Sequence, residues 1–149
     1  MKKWMTLMAL LAGTVQAGVV GGPRGGKLLD NPAPRAEFFV NAERKVEVRF
    51  YDATLKVVPP GEQVVNVIAE APTGKARLNL QRAGDVLTSA EALPAGDGYL
   101  IVVQIKANPA GKTQNFRITY HAELCGDCQR AEYACTCEHA GEEEDGQAH

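Results

Sequence analysis

Strand-like periodicity constrains this chain more than any other feature. Residues 46–51 read Val-Glu-Val-Arg-Phe-Tyr, so Val46, Val48 and Phe50 alternate with Glu47, Arg49 and Tyr51. A period of two sends neighbouring side chains to opposite faces, one apolar and one facing water. Residues 76–81 repeat the pattern, with Ala76, Leu78 and Leu80 against Arg77, Asn79 and Gln81. Residues 115–120 do so with Phe116, Ile118 and Tyr120 against Asn115, Arg117 and Thr119. Residues 64–69 and 99–105 are apolar on both faces at most positions, as central strands are. Shorter segments at 37–40 and 86–90 complete the set.

Turn residues separate these segments: Pro59-Pro60-Gly61, Pro72-Thr73-Gly74, Gly84-Asp85, Asp97-Gly98 and Asn108-Pro109. No stretch carries a convincing helical period. About seven short strands at this spacing predict an all-β chain, an immunoglobulin-like β-sandwich over residues 35–122 followed by a C-terminal Cys-rich loop. A small barrel is the competing arrangement. No internal repeat is present.

The N-terminus has its own logic. Lys2 and Lys3 precede an apolar run from Trp4 to Ala12, and Val15-Gln16-Ala17 supplies small residues for a cut. This is the layout of a bacterial-type secretory signal, expected over residues 1–17, and it points to a periplasmic or secreted protein. A permanent anchor is the alternative, but the run is shorter than the roughly 20 residues that span a bilayer. Residues 18–34 hold eight Gly or Pro in seventeen positions, which predicts a flexible leader in which only Leu28 and Leu29 could dock. Residues 140–149 are acidic and rich in small residues, the composition of a disordered tail.

The net charge of −2 becomes more negative once Lys2 and Lys3 are removed, so a nucleic-acid partner is not expected. No second long apolar segment predicts membrane insertion of the exported product. Enzyme constellations are missing too. The histidines, His121, His139 and His149, all lie beyond the last predicted strand. Ser89 is the chain's single serine, and no base stands near it in sequence. The acids Glu123 and Asp127 read as solvated loop carboxylates. The expectation is a protein that is not an enzyme.

All four cysteines fall within residues 125–137, in the pattern C-x2-C-x6-C-x-C, with His139 following. Two chemistries compete for them. Cys125, Cys128, Cys135 and Cys137, or three of them with His139, could surround zinc tetrahedrally. Two or three thiolates could instead hold copper(I), a soft ion that favours sulfur. Gly126 is expected to let the Cys125–Cys128 turn tighten. Alternatively, an oxidising compartment converts the thiols to disulfides. Of the three pairings four cysteines allow, the nested one (Cys125–Cys137 with Cys128–Cys135) would staple a hairpin. A C-x-x-C redox role lacks the βαβ context that usually carries it.

Two longer stretches, VEVRFYDATLKVVPPGEQVVNVIAE and GDGYLIVVQIKANPAGKTQNFRITYH, resemble the opening and the final hairpin of exported immunoglobulin-like domains associated with heavy-metal efflux adaptors. The resemblance covers residues 37–121. It implies an exported sandwich encoded beside metal-efflux machinery, and it supplies no ligands because the cysteines lie outside it. Met1, Met5 and Met8 all fall in the expected signal, which leaves no thioether copper site in the body. The sequence therefore predicts an exported metal-binding protein, serving sequestration or delivery of zinc or copper(I), with an envelope efflux or assembly protein as partner. The alternative is a periplasmic interaction module whose cysteines only staple a loop.

Overall fold

The computed structural model of the protein describes residues 20–29 and 34–137. Among the described residues, ten strands form two antiparallel sheets: β1 (Lys27–Leu28), β2 (Arg35–Val40), β3 (Lys45–Tyr51), β4 (Val57–Val58), β5 (Val64–Ala71), β6 (Gly74–Leu78), β7 (Leu80–Ala83), β8 (Val86–Ala92), β9 (Tyr99–Lys106) and β10 (Gln114–Tyr120). One sheet runs β1-β2-β3-β8-β7, with β4 beside β3, and the other runs β10-β9-β5-β6. Lettered in chain order from β2 without the short β4, these orders are A-B-E-D and G-F-C-C′, the immunoglobulin arrangement.

Alternation sets the core. Val46, Val48 and Phe50 of β3 meet Val65, Val67 and Ala69 of β5 and Tyr99, Ile101 and Val103 of β9 in one buried cluster. The two segments that read as apolar on both faces, β5 and β9, are the two inner strands of their sheet. At the start of β9 the Tyr99 hydroxyl donates to the Pro94 carbonyl at 2.9 Å, closing the loop that enters the strand. A tyrosine in this place and with this bond is the tyrosine corner of immunoglobulin-like sandwiches.

Three expectations change. The described residues hold ten strands rather than about seven, partly because β1 and β4 have only two residues each. The single strand expected at 76–81 is two strands. Residues up to Leu78 pair with β5 in one sheet, and residues from Leu80 pair with β8 in the other. At Asn79 the chain crosses the sandwich, and its carbonyl accepts the Ala90 N–H at 3.0 Å. Alternation looks the same whether or not a strand changes sheets, so the pattern could not reveal the break.

The third change concerns residues 20–29, which are part of the fold and not a leader. Lys27 and Leu28 pair with Phe38 and Glu37, and Leu29 is buried in the core. The cause is Glu37, a buried carboxylate on a strand that otherwise looks apolar. One oxygen accepts the N–H groups of Arg24 (3.0 Å) and Gly26 (2.9 Å), and the other accepts the Tyr51 hydroxyl at 2.5 Å. A buried carboxylate needs such partners, and the glycine-rich loop supplies them. The loop approaches so closely that a Cβ on Gly22 would overlap the Glu37 side chain. The expected signal at 1–17 and the acidic tail at 140–149 lie outside the described residues. Among the described residues no helix is long and apolar enough to cross a membrane.

Candidate metal centre

Beyond β10 the chain turns back on itself. The Glu132 N–H donates to the Glu123 carbonyl at 2.8 Å and the Tyr133 N–H to that of His121 at 3.2 Å, while Leu124 bridges Ala131. These bonds make a short antiparallel ladder whose tip, residues 125–130, carries the C-x2-C pair. The tip closes with Cys125 N–H to the Arg130 carbonyl (2.7 Å) and Gln129 N–H to the Cys125 carbonyl (3.0 Å). The residue in the left-handed region is Gln129, at φ 57°. Gly126, expected to allow the tight turn, has no positive φ and open space around its Cβ position. The tightness therefore comes from Gln129, whose side-chain amide donates to the Gly126 carbonyl at 2.8 Å and steadies the turn.

A single turn of 3₁₀ helix, Glu132–Ala134, then delivers the second pair of cysteines. Its fixed point is Tyr133, which is buried with Ala134 in the core cluster. The Tyr133 ring meets Phe38 edge-on at 5.8 Å and lies tilted against Tyr120 at 5.6 Å. Its hydroxyl accepts the Val40 N–H at 2.9 Å. Arg130, at the knuckle, donates to the carbonyls of Gly22 (3.1 Å) and Gly26 (3.5 Å), across 108 and 104 residues of chain. The cysteine segment is thus not an appendage on a finished domain. It is seated on the sandwich and on the N-terminal loop at once.

The four sulfurs converge. All lie within 4.8 Å of one another, an arrangement that could hold a metal ion. Cys125 and Cys135 are 3.4 Å apart, Cys128 and Cys135 3.6 Å, and Cys125 and Cys137 3.8 Å. A tetrahedron with Zn–S bonds of about 2.3 Å has edges of about 3.8 Å, so these spacings suit four ligands around one ion. They are far above the roughly 2.05 Å of a bonded sulfur pair, so none of these three pairs is a disulfide. Cys125 is buried, whereas Cys128, Cys135 and Cys137 are partly exposed.

Backbone N–H groups point at the sulfurs. Those of Thr136 and Arg130 hold the Cys128 thiol down at about 6. Cys137 N–H lies 3.3 Å from the Cys135 sulfur and favours its thiolate, yet burial and the neighbouring sulfurs outweigh it and push that thiol up. Cys137 is pushed up strongly, first by its bond to Cys135 and then by burial. In the metal-free cluster the neighbouring sulfurs therefore oppose ionisation of Cys135 and Cys137. A cation at the centre removes that opposition, which is the electrostatic case for a metal.

Of the predicted ligands, the structure brings together Cys125, Cys128, Cys135 and Cys137. His139 lies outside the described residues, as does the other C-terminal histidine, His149. His121 is engaged elsewhere, with Nδ1 at 2.7 Å from a carboxylate oxygen of Asp97. The seating residues Tyr133, Arg130 and Glu37 escaped the sequence reading. A tyrosine or arginine between cysteines carries no periodic signal, and Glu37 lies in a short segment with no alternation to expose it. No protein-family model, curated protein or solved structure matches this chain.

Proposed function

We propose that this protein binds a soft or borderline metal ion through Cys125, Cys128, Cys135 and Cys137, and sequesters or delivers that ion in an exported compartment. The observation that carries the reading is the convergence of four thiols, within 4.8 Å of one another, on a loop anchored to the core. Four sulfurs at near-tetrahedral spacing favour zinc over copper(I), which is served by two or three. The backbone N–H groups aimed at Cys128 and Cys135 support the surplus charge that four thiolates would keep around a divalent ion. Partial exposure of three cysteines favours delivery over a purely structural site, because a thiol of an envelope efflux or assembly protein could reach them. The N-terminal sequence pattern supports the compartment.

The test is metal and thiol analysis of reduced full-length protein. One zinc per chain, with all four thiols shielded from a thiol reagent until a chelator is added, is the expected result. Cobalt substitution should give the intense visible bands of tetrahedral thiolate coordination. Two intact disulfides in protein from its native compartment, with no metal uptake after reduction, would overturn the reading.

A second reading has one observation in its favour. The nested pairs Cys125–Cys137 and Cys128–Cys135 are 3.8 Å and 3.6 Å apart, close enough to oxidise with small side-chain rotations. The protein would then be an interaction module with a stapled loop. Replacing all four cysteines with serine separates the two. A module should lose stability yet keep binding its partner, whereas a metal carrier should lose its metal and keep its sandwich.

A further inference from the structure

Beside the cysteine loop, and separate from its sulfurs, lies a groove of about 410 Å³. Its floor is aromatic, formed by Phe39, Tyr120 and Tyr133, and its walls carry three guanidinium groups, from Arg24, Arg44 and Arg130. No carboxylate of the described residues lines it, although the chain as a whole is acidic. Three like charges around one concavity repel one another, and a bound anion would relieve that repulsion.

Part of the relief is internal. Glu47, outside the groove, takes one nitrogen of Arg24 at 2.6 Å. Arg44 donates to the carbonyls of Pro94 (2.5 Å) and Gly96 (3.3 Å), and Arg130 to those of Gly22 and Gly26. Carbonyls orient a guanidinium without neutralising it, and Asp97, outside the groove, is near enough to Arg44 to offset part of that charge. Two of the three also lie over rings: the Arg24 Cζ is 4.9 Å from the Phe39 centroid and the Arg44 Cζ is 5.6 Å from that of Tyr120. A guanidinium carries five N–H donors, more than the one or two bonds just given for each of these arginines. Such pre-oriented forks match the paired oxygens of a carboxylate or phosphate.

We propose that this groove binds a small anion carrying two or more carboxylate or phosphate oxygens, clamped by Arg24, Arg44 and Arg130 over the tyrosine floor. The proposal stands apart from the metal reading, because none of its ligand groups is a cysteine.

Calorimetric titration of the full-length protein at low ionic strength tests it, with succinate and inorganic phosphate as separate probes. At least one should bind saturably at one per chain, and the tighter of the two identifies the class of oxygen. Arg24→Gln should weaken that binding at least tenfold. Arg24→Lys, which keeps the charge and a partner for Glu47 but loses the fork, should weaken it by a smaller factor. Lys112→Gln, in the turn between β9 and β10 and about 20 Å along β10 from Tyr120, should leave it unchanged. The proposal falls if neither anion saturates, or if Lys112→Gln weakens binding as much as Arg24→Gln. It falls equally if both Arg24 variants, with unchanged circular dichroism, bind as the parent does, which is what an anion bound at the metal would give.

Discussion

Glu37 shows how one side chain decides the fate of a whole segment. Among the described residues it is the one buried carboxylate, and every partner it has reaches it from another part of the chain. Two of those partners are backbone N–H groups of the glycine-rich loop, which has almost no apolar surface of its own beyond Leu28 and Leu29. The carboxylate therefore does for residues 20–29 what hydrophobic burial does elsewhere. Glu37→Gln should cost about 1–3 kcal/mol in urea unfolding, because an amide keeps one acceptor where the site needs two. The same substitution should make the backbone near Gly22 cleavable by protease before the sandwich unfolds. If stability is lost with the loop still protected, the loop is held by something other than this carboxylate.

The strands and the cysteine ladder differ in how visible they are in sequence. Seven strand positions were legible because each repeats one physical rule, apolar side chains every second residue. The crossing at Asn79 was not, since Leu78 and Leu80 fit one strand as well as two. The four sulfurs were legible as a group from their spacing, but their seat was not, because it depends on contacts between residues far apart in sequence. Tyr133 is the clearest case. It joins the cysteine ladder to β2 through the Val40 N–H and to β10 through Tyr120. Tyr133→Phe removes only the acceptor and should cost about 0.5–1.5 kcal/mol, with metal stoichiometry unchanged. Tyr133→Ala removes the ring as well and should cost about 3–5 kcal/mol. It should also weaken metal binding, since the turn that presents Cys135 and Cys137 loses its anchor. Full zinc affinity in the alanine variant would show that the knuckle forms without its seat.

The molecule places all four of its tyrosines, Tyr51, Tyr99, Tyr120 and Tyr133, in buried positions at the end of the sandwich nearest the cysteine loop or under the N-terminal loop. Burial is the leading cause that raises each phenol above its usual value of 10, to about 12 for Tyr133 and higher still for Tyr51, where Glu37 adds to it. Below pH 10 every phenol is neutral in the folded and unfolded chains alike, so these groups contribute their full stabilisation. Above pH 10 the unfolded chain releases phenolic protons that the folded chain retains, and unfolding gains from each one. The phenols' contribution should therefore hold level until the unfolded phenols begin to ionise near pH 10 and fall progressively as the pH rises towards 12, after an earlier and smaller loss from the raised Cys135 and Cys137 thiols of the metal-free protein. Urea midpoints measured across that window check the fall, and the slope of each transition should stay constant, because the area exposed on unfolding is the same. Phenolate absorbance provides the independent measure: it should rise together with the loss of near-ultraviolet circular dichroism. Phenolate that forms near pH 10 while the dichroism persists would mean that the tyrosines reach water without unfolding. The aromatic seat shared by Tyr99, Tyr120 and Tyr133 would then open independently of the sandwich.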